Sequence, residues 1–395
     1  MPDTQAGPPA GRAAKRRVPR AETVGSLLRP PELRNQFAQV YHDLRTPSPR
    51  LLTDAQRGSW EELERVADAA VTDAVQRQID LGLDVITDGE MRRASFTHSL
   101  VDALAGFEDS DVEFAFTNAE GETMVPPSGP LVGHERVRKV DNPAAREARY
   151  LRSLTDYPIK VTFPAASYWY CEPVDLDQGV CTSQAEFVSD IVKSQRELIG
   201  EVISAGARHI QMDWPSYVMA IDSKWREHLP GTSGRSLPDL MEELIAVDNA
   251  VIERLPDNVT VAMHICRGNY RSMWMTEGSL EPIGEQLFHT LNYDRLLLEC
   301  DDPARTGGFE TLRRLPEAGP VVVLGVVSTK TADVEEPGEV RARVEAAARY
   351  APIDRLALSP QCGFAATWEG NDLPEENQWK KIGVIVQVAD ELWGR

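Results

Sequence analysis

Eight short runs of apolar and β-branched residues, each ending in polar residues and separated by stretches of helical character, set the strongest limit on how this chain folds. They are AETVGS (21–26), DVITDGE (84–90), IKVTFP (159–164), HIQMDWP (209–215), VTVAMHIC (259–266), RLLLECDD (295–302), PVVVLGVVSTK (320–330) and RLALSPQCG (355–363). Runs that are apolar almost throughout suit parallel strands covered on both faces. Between them, segments such as QAEFVSDIVKSQRELIGEVISAG and SLPDLMEELIAVDNAVIERL repeat apolar residues at intervals of three and four, the pattern of an amphipathic helix. Gly82 and Gly206 stand where two of these helices need a C-cap.

Eight strands alternating with helices predict an α/β fold, a (β/α)8 TIM barrel, with a doubly wound open sheet as the alternative. Polar residues fall at the C-terminal end of nearly every run: Ser26, Glu90, Asp213, His264, Cys266, Glu299, Lys330 and Cys362. A barrel collects functional groups from the ends of several strands, whereas an open sheet gathers them at one switch point. The expectation is therefore one barrel domain over residues 21–395. The stretch 105–158 exceeds what a strand-to-helix connection needs and reads as an inserted hairpin or lid after the second strand. Residues 1–20 carry Arg12, Lys15, Arg16, Arg17 and Arg20 among Ala, Gly and Pro, and are expected to form a disordered basic tail.

Composition narrows the function. At 395 residues and 42% hydrophobic content the chain can bury a large core, and its formal charge of −20 argues against nucleic acid as a partner. No run of about 18 apolar residues is present to cross a membrane. Five cysteines, an odd number without a secretory signal, suggest reduced thiols in a cytoplasm. A homodimer is the default assembly, because symmetric dimers are common.

Strand parity singles out one pair. His264 and Cys266 point to the same face while Met263 and Ile265 take the other. If that face looks into a barrel mouth, Glu299 on the next strand and Cys362 on the last converge on it. The four then offer nitrogen, sulfur, sulfur and oxygen donors of the kind zinc accepts. The alternative is packing: reduced cysteines are among the most buried residue types, and a single histidine is often a satisfied core residue. Cys171, Cys181 and Cys300 have no such company and read as structural.

Taken together, TVGSLLRP, DVITDGEMRR, HIQMDW, HICRGNYRSMW, LLLECDD and LSPQCGFA resemble the catalytic barrel of cobalamin-independent methionine synthase, and above all its short single-barrel relatives. The resemblance runs in order from about Glu22 to Trp393. It implies a zinc-dependent S-alkyltransferase whose metal ligands are His264, Cys266, Glu299 and Cys362, with homocysteine contacts at Ser26, Glu90 and Asp213. The implied reaction is methyl transfer to the metal-held thiolate of homocysteine, giving methionine. Glu299, the hardest ligand, is expected to lengthen or leave when the sulfur arrives.

Paired carboxylates at Glu90 and Asp213 suit a thiol that carries an ammonium group. Ser26 with adjoining backbone N–H groups suits its carboxylate, and Arg267, with Arg92, Arg93 and Arg271, supplies further cations. Trp214 leads a set of aromatics, with Tyr168, Trp169, Tyr270 and Trp274, that can line a pocket for a flat or apolar donor. Lys330 stands near the place where the family keeps a histidine that assists transfer from folate. That departure, and the acidic charge, leave the donor open between methyltetrahydrofolate and methylcobalamin or a corrinoid protein. A second expectation keeps the zinc thiolate but opens an epoxide, as the epoxyalkane:coenzyme M transferases do.

Overall fold

The computed structural model describes residues 18–41, 54–109, 115–126, 131–170, 181, 183–227, 229 and 234–395. Residues 1–17 of the expected tail, and Cys171, lie outside the described residues. In chain order, β1 (Leu104–Asp109) pairs antiparallel with β4 (Leu131–Lys139), and between them β2 (Phe116–Thr117) pairs with β3 (Thr123–Met124). Six parallel strands follow: β5 (Lys160–Pro164), β6 (His209–Asp213), β7 (Thr260–Ile265), β8 (Arg295–Glu299), β9 (Val321–Val327) and β10 (Leu356–Pro360). Their sheet order is β10-β9-β8-β7-β6-β5, sequential neighbours throughout.

The first two apolar runs close this sheet into a barrel. Ala21 bridges Leu358 in β10, Asp84 N–H donates to Ala21 O at 3.0 Å, and Ile86 bridges Ile159 beside β5. Both runs pair through isolated bridges, so each is a short stave. A TIM barrel with eight staves results, as the alternation of runs predicts.

Side-chain parity then separates interior from exterior. Val24, Ala262, Leu297, Val323 and Ala357 form a small apolar cluster of their own, while Met263, Ile265, Leu296 and Leu298 join the larger core under the helices. Two residues beyond Ala262 comes His264, and two beyond Leu297 comes Glu299. Both therefore continue the interior face toward the C-terminal mouth.

The expected insertion is shorter than 105–158. Residues Pro143–Leu154 form a helix capped by Asn142, whose Oδ1 accepts from Ala145 N–H at 3.0 Å; Ala144, Ala145, Ala148 and Leu151 belong to its buried face. It is the helix of the connection between the second stave and β5, so only the hairpin portion before it is added to the barrel. Gly82 (φ 88°) and Gly206 (φ 110°) do terminate their helices in the left-handed region. No helix among the described residues is long and apolar enough to cross a membrane.

Candidate active site

The C-terminal ends of three strands bring four donors together. Each of His264 at the end of β7, Cys266 one residue beyond it, Glu299 at the end of β8 and Cys362 two residues beyond β10 offers one ligand atom, and these atoms lie within 4.8 Å of one another. All four residues are buried. The two sulfurs are 3.5 Å apart as free thiols.

The chemistry of this set fits a metal ion. Apart from its close approach to the Cys362 thiol, His264 has no hydrogen-bond partner among the described residues, and a buried imidazole so poorly satisfied is costly unless something ligates it. The hydrogen bond from Cys266 holds the Cys362 thiol down to about 5 against burial, with His264 assisting, while Cys266 itself is pushed well up. Burial works against the charge of Glu299, but Arg305, Lys330 and His264 outweigh it and hold the carboxyl below its usual range. The cluster thus already favours a thiolate and a carboxylate beside an imidazole, a donor set matched to zinc.

Glu299 is firmly oriented. Its Oε1 accepts from Arg267 N–H at 2.7 Å, and its Oε2 accepts from Arg305 Nη1 at 3.0 Å and Gln361 Nε2 at 2.9 Å. Gly268 N–H donates to Cys266 Sγ at 3.2 Å. Such donors around the ligands fix their direction. Arg305 and Gln361 are not apparent in the sequence: Gln361 lies inside SPQCG, but nothing in its position marks it as a partner of Glu299.

Beside the cluster a pocket opens, and Ser26, Glu90, Asp213 and Trp214 line it together with His264, Cys266 and Cys362. Phe96 forms part of the wall and packs against Trp214 with ring centroids 5.8 Å apart. Ser26 Oγ accepts from Ala365 N–H at 3.3 Å, which leaves its hydroxyl proton for a ligand. Burial raises the Asp213 carboxyl to about 7, with the neighbouring Glu90 adding to the rise and His264 opposing it. Glu90 takes a positive φ of 55° and Trp214 one of 52°, two backbone positions in the left-handed region at the pocket wall.

Other candidates fall elsewhere. Arg267 is buried at 1% exposure but does not line the pocket; its backbone, not its guanidinium, reaches Glu299. Arg93 is a buried ion-pair partner of Glu147 at 2.7 Å, and Arg92 pairs with Asp68 while lying over the Tyr150 ring. Lys330 Nζ donates to Gly268 O, Asn269 Oδ1 and Met273 O at 3.1, 3.1 and 3.2 Å, clasping the loop after β7. Of the five aromatics named from sequence only Trp214 lines the pocket; Trp274 carries the Arg305 guanidinium over its ring at 5.2 Å. The added hairpin does approach the mouth: Phe116 packs on Trp214 and Tyr270, and Thr117 and Trp274 exchange backbone hydrogen bonds of 2.7 and 2.9 Å.

Residues 45–390 match the family model of the cobalamin-independent synthase catalytic domain. The chain is 32% identical over 386 residues to the uncharacterized protein YxjH of Bacillus subtilis (strain 168), covering 96% of each. It is 22% identical over 307 residues to the 5-methyltetrahydropteroyltriglutamate–homocysteine methyltransferase of Aeromonas salmonicida, spanning 76% of this chain but only 36% of that protein. A B12-independent methionine synthase from Shewanella sp. W3-18-1, solved in complex with selenomethionine, has the same fold at a TM-score of 0.68 and 20% identity, with 94% of this chain and 96% of that one aligned.

Proposed function

The chain belongs to the cobalamin-independent synthase catalytic-domain family, and from that premise we propose that it transfers a methyl group to the thiol of homocysteine, giving methionine, at a zinc site held by His264, Cys266, Glu299 and Cys362. The observation that carries this reading is the convergence of those four donors within 4.8 Å on the edge of a pocket that also presents Ser26, Glu90 and Asp213. The relative named above as a homocysteine methyltransferase, and the selenomethionine held by the Shewanella protein, support the choice of substrate. Zinc, when bound, supplies a position at which a substrate thiol is held deprotonated near neutral pH while remaining nucleophilic.

The chain's own groups do the rest. Glu90 and Asp213 face the pocket as a carboxylate pair that receives the ammonium group, and Ser26 offers its hydroxyl proton to the carboxylate. Trp214 and Phe96 pack together as an apolar part of the pocket wall and would limit the water that enters it. Arg305, Gln361 and the Arg267 N–H fix Glu299, so any lengthening of that ligand must work against three hydrogen bonds. Lys330, tied to three acceptors, steadies the loop that carries Cys266 instead of transferring a proton. The free thiols of Cys181, Cys266, Cys300 and Cys362 fit a reducing cytoplasm.

The test pairs metal content with turnover. Purified protein and its Cys362→Ala variant are analysed for zinc and offered homocysteine with methyltetrahydrofolate, methylcobalamin or an epoxide in parallel. Methionine from one methyl donor, lost together with zinc in the variant, is the expected result and names the donor. Zinc bound at one per chain with homocysteine inert toward all three ends the methionine synthase reading. Product from the epoxide alone transfers the assignment to thiolate addition, for which the Glu90 and Asp213 pair has no evident use.

A further inference from the structure

Two buried cations stand behind the two pocket carboxylates: Lys160 is one side chain removed from Asp213, and Arg93 reaches Glu90 both through Thr162 and directly, with its Nη1 3.7 Å from Glu90 Oε1. Behind Asp213, Lys160 Nζ donates to Gln211 Oε1 at 2.8 Å, and Gln211 Nε2 donates to Asp213 Oδ1 at 2.7 Å and to Val24 O at 2.6 Å. Behind Glu90, Arg93 Nη1 donates to Thr162 Oγ1 at 2.7 Å, and Thr162 Oγ1 donates to Glu90 Oε1 at 2.6 Å. Lys160, Arg93, Gln211 and Thr162 are all buried to 3% exposure or less.

The direction of every bond in these relays is forced. An ammonium or guanidinium donates and never accepts. Lys160 therefore requires the carbonyl oxygen of Gln211, which turns the amide NH2 toward Asp213 and Val24 O. Arg93 likewise occupies the acceptor side of Thr162, which commits the single hydroxyl proton to Glu90. Neither intermediate can turn around without placing a donor against a donor in a buried site, where such a loss is expensive. Both carboxylates are consequently addressed from behind by donors.

We propose that Gln211 and Thr162 are specificity-determining positioning residues, which hold Asp213 and Glu90 as hydrogen-bond acceptors and so set the pocket to prefer thiols that carry an ammonium group. The assignment rests on the homocysteine reading above and adds to it the residues that enforce the choice. A carboxylate pinned through one oxygen by a donor presents its other oxygen with a fixed direction and with acceptor character, which rewards an N–H donor and penalises an apolar or anionic group. The anchors of the relays are themselves fixed. Lys160 is also held by Glu22 Oε2 at 2.9 Å, and Arg93 by Glu147 at 2.7 Å. Gly25 completes the arrangement, because a Cβ there would lie 2.5 Å from Glu90 Oε1 and 3.0 Å from Thr162 Cγ2.

The experiment compares binding rather than turnover. Zinc-loaded wild type, Thr162→Val, Thr162→Ser and Gln211→Leu are titrated calorimetrically with L-homocysteine and with 4-sulfanylbutanoate, the same thiol acid without the ammonium group. Wild type should prefer homocysteine, and Thr162→Val and Gln211→Leu should each lose about tenfold of that preference. Affinity for 4-sulfanylbutanoate and zinc content should stay within about twofold of wild type, and Thr162→Ser should restore the preference. Equal loss of both ligands in the valine and leucine variants, or a preference left intact, overturns the proposal. Equal affinity of wild type for the two thiols overturns it too, while the zinc-thiol reading stands. Failure of zinc-loaded wild type to bind either thiol ends the parent reading, and this proposal with it.

Discussion

At Gly25 the absence of a side chain is what lets Glu90 reach the pocket. A Cβ added there would stand 2.5 Å from Glu90 Oε1, closer than real Cβ contacts come, so Gly25→Ala must displace the carboxylate. The expected result is at least a tenfold rise in KM for homocysteine with zinc content unchanged, measured by steady-state kinetics beside metal analysis. The four metal-ligand candidates and the pocket residues Ser26, Glu90 and Asp213 are legible as residue types at strand ends. Thr162 is not, because a threonine inside a buried strand looks like packing until Arg93 is seen to donate to it. Arg93 itself reads as a loop cation in the sequence because its partner Glu147 lies 54 residues away, on a helix hidden within the expected insertion.

Among the elements, the loop after β7 is fastened from several sides. Lys330 clasps it at Gly268, Asn269 and Met273, Asn269 Nδ2 donates to Gly363 O at 2.7 Å, and Thr117 of the hairpin pairs with Trp274. These ties join the elements that carry Cys266 and Cys362. Lys330→Met leaves three acceptors without their donor, so the loop should open more often. Amide hydrogen exchange over residues 267–275 is predicted to speed up by roughly tenfold, with Lys330→Arg closer to wild type. Unchanged exchange in the methionine variant would show that the clasp does not hold the loop. Lys330 is legible as a polar residue past a strand end, but the direction in which its long side chain reaches is set by packing, not by sequence position.

Across the whole molecule, a charged layer inside the barrel links staves that are remote in sequence. Glu22 Oε1 accepts from Arg295 Nε at 2.9 Å and Glu22 Oε2 from Lys160 at 2.9 Å, joining the first stave to β8 and β5. Burial alone would raise the Glu22 carboxyl, but Arg295 and Lys160 outweigh it and hold it at about 2, below its ordinary 4.5. A carboxyl depressed by folding contributes fully above its unfolded value and loses that contribution as the pH falls toward its folded one. The stability from Glu22 is thus present above about pH 4.5 and lost between there and pH 2. At roughly 1.4 kcal/mol per unit this amounts to about 3 kcal/mol. Glu22→Gln should lower the urea midpoint at pH 7, because two buried cations lose their counter-charge, and should flatten the acid limb of the stability profile. An unaltered acid limb would show that the layer does not supply it.

Local periodicity was enough for the eightfold alternation, the placement of His264 and Cys266 on one face, and the zinc-type donors at the strand ends, because a chain carries such patterns wherever it goes. It took the folded barrel to close the first two runs through isolated bridges, to make residues 143–154 a barrel helix, and to place a particular donor behind each carboxylate. The helix is hidden in the sequence by its low overall hydropathy and not by a lack of periodicity, since its buried face is mostly alanine and much of the rest is charged or polar. Most of the pairings are hidden because they join residues remote in the chain, 54 positions apart in Arg93 with Glu147 and 273 in Glu22 with Arg295; Gln211 and Asp213 are neighbours on one strand, but the amide is oriented by the distant Lys160. Closure and register bring such groups to hydrogen-bond distance, and burial then makes it costly for any of them to remain without a partner.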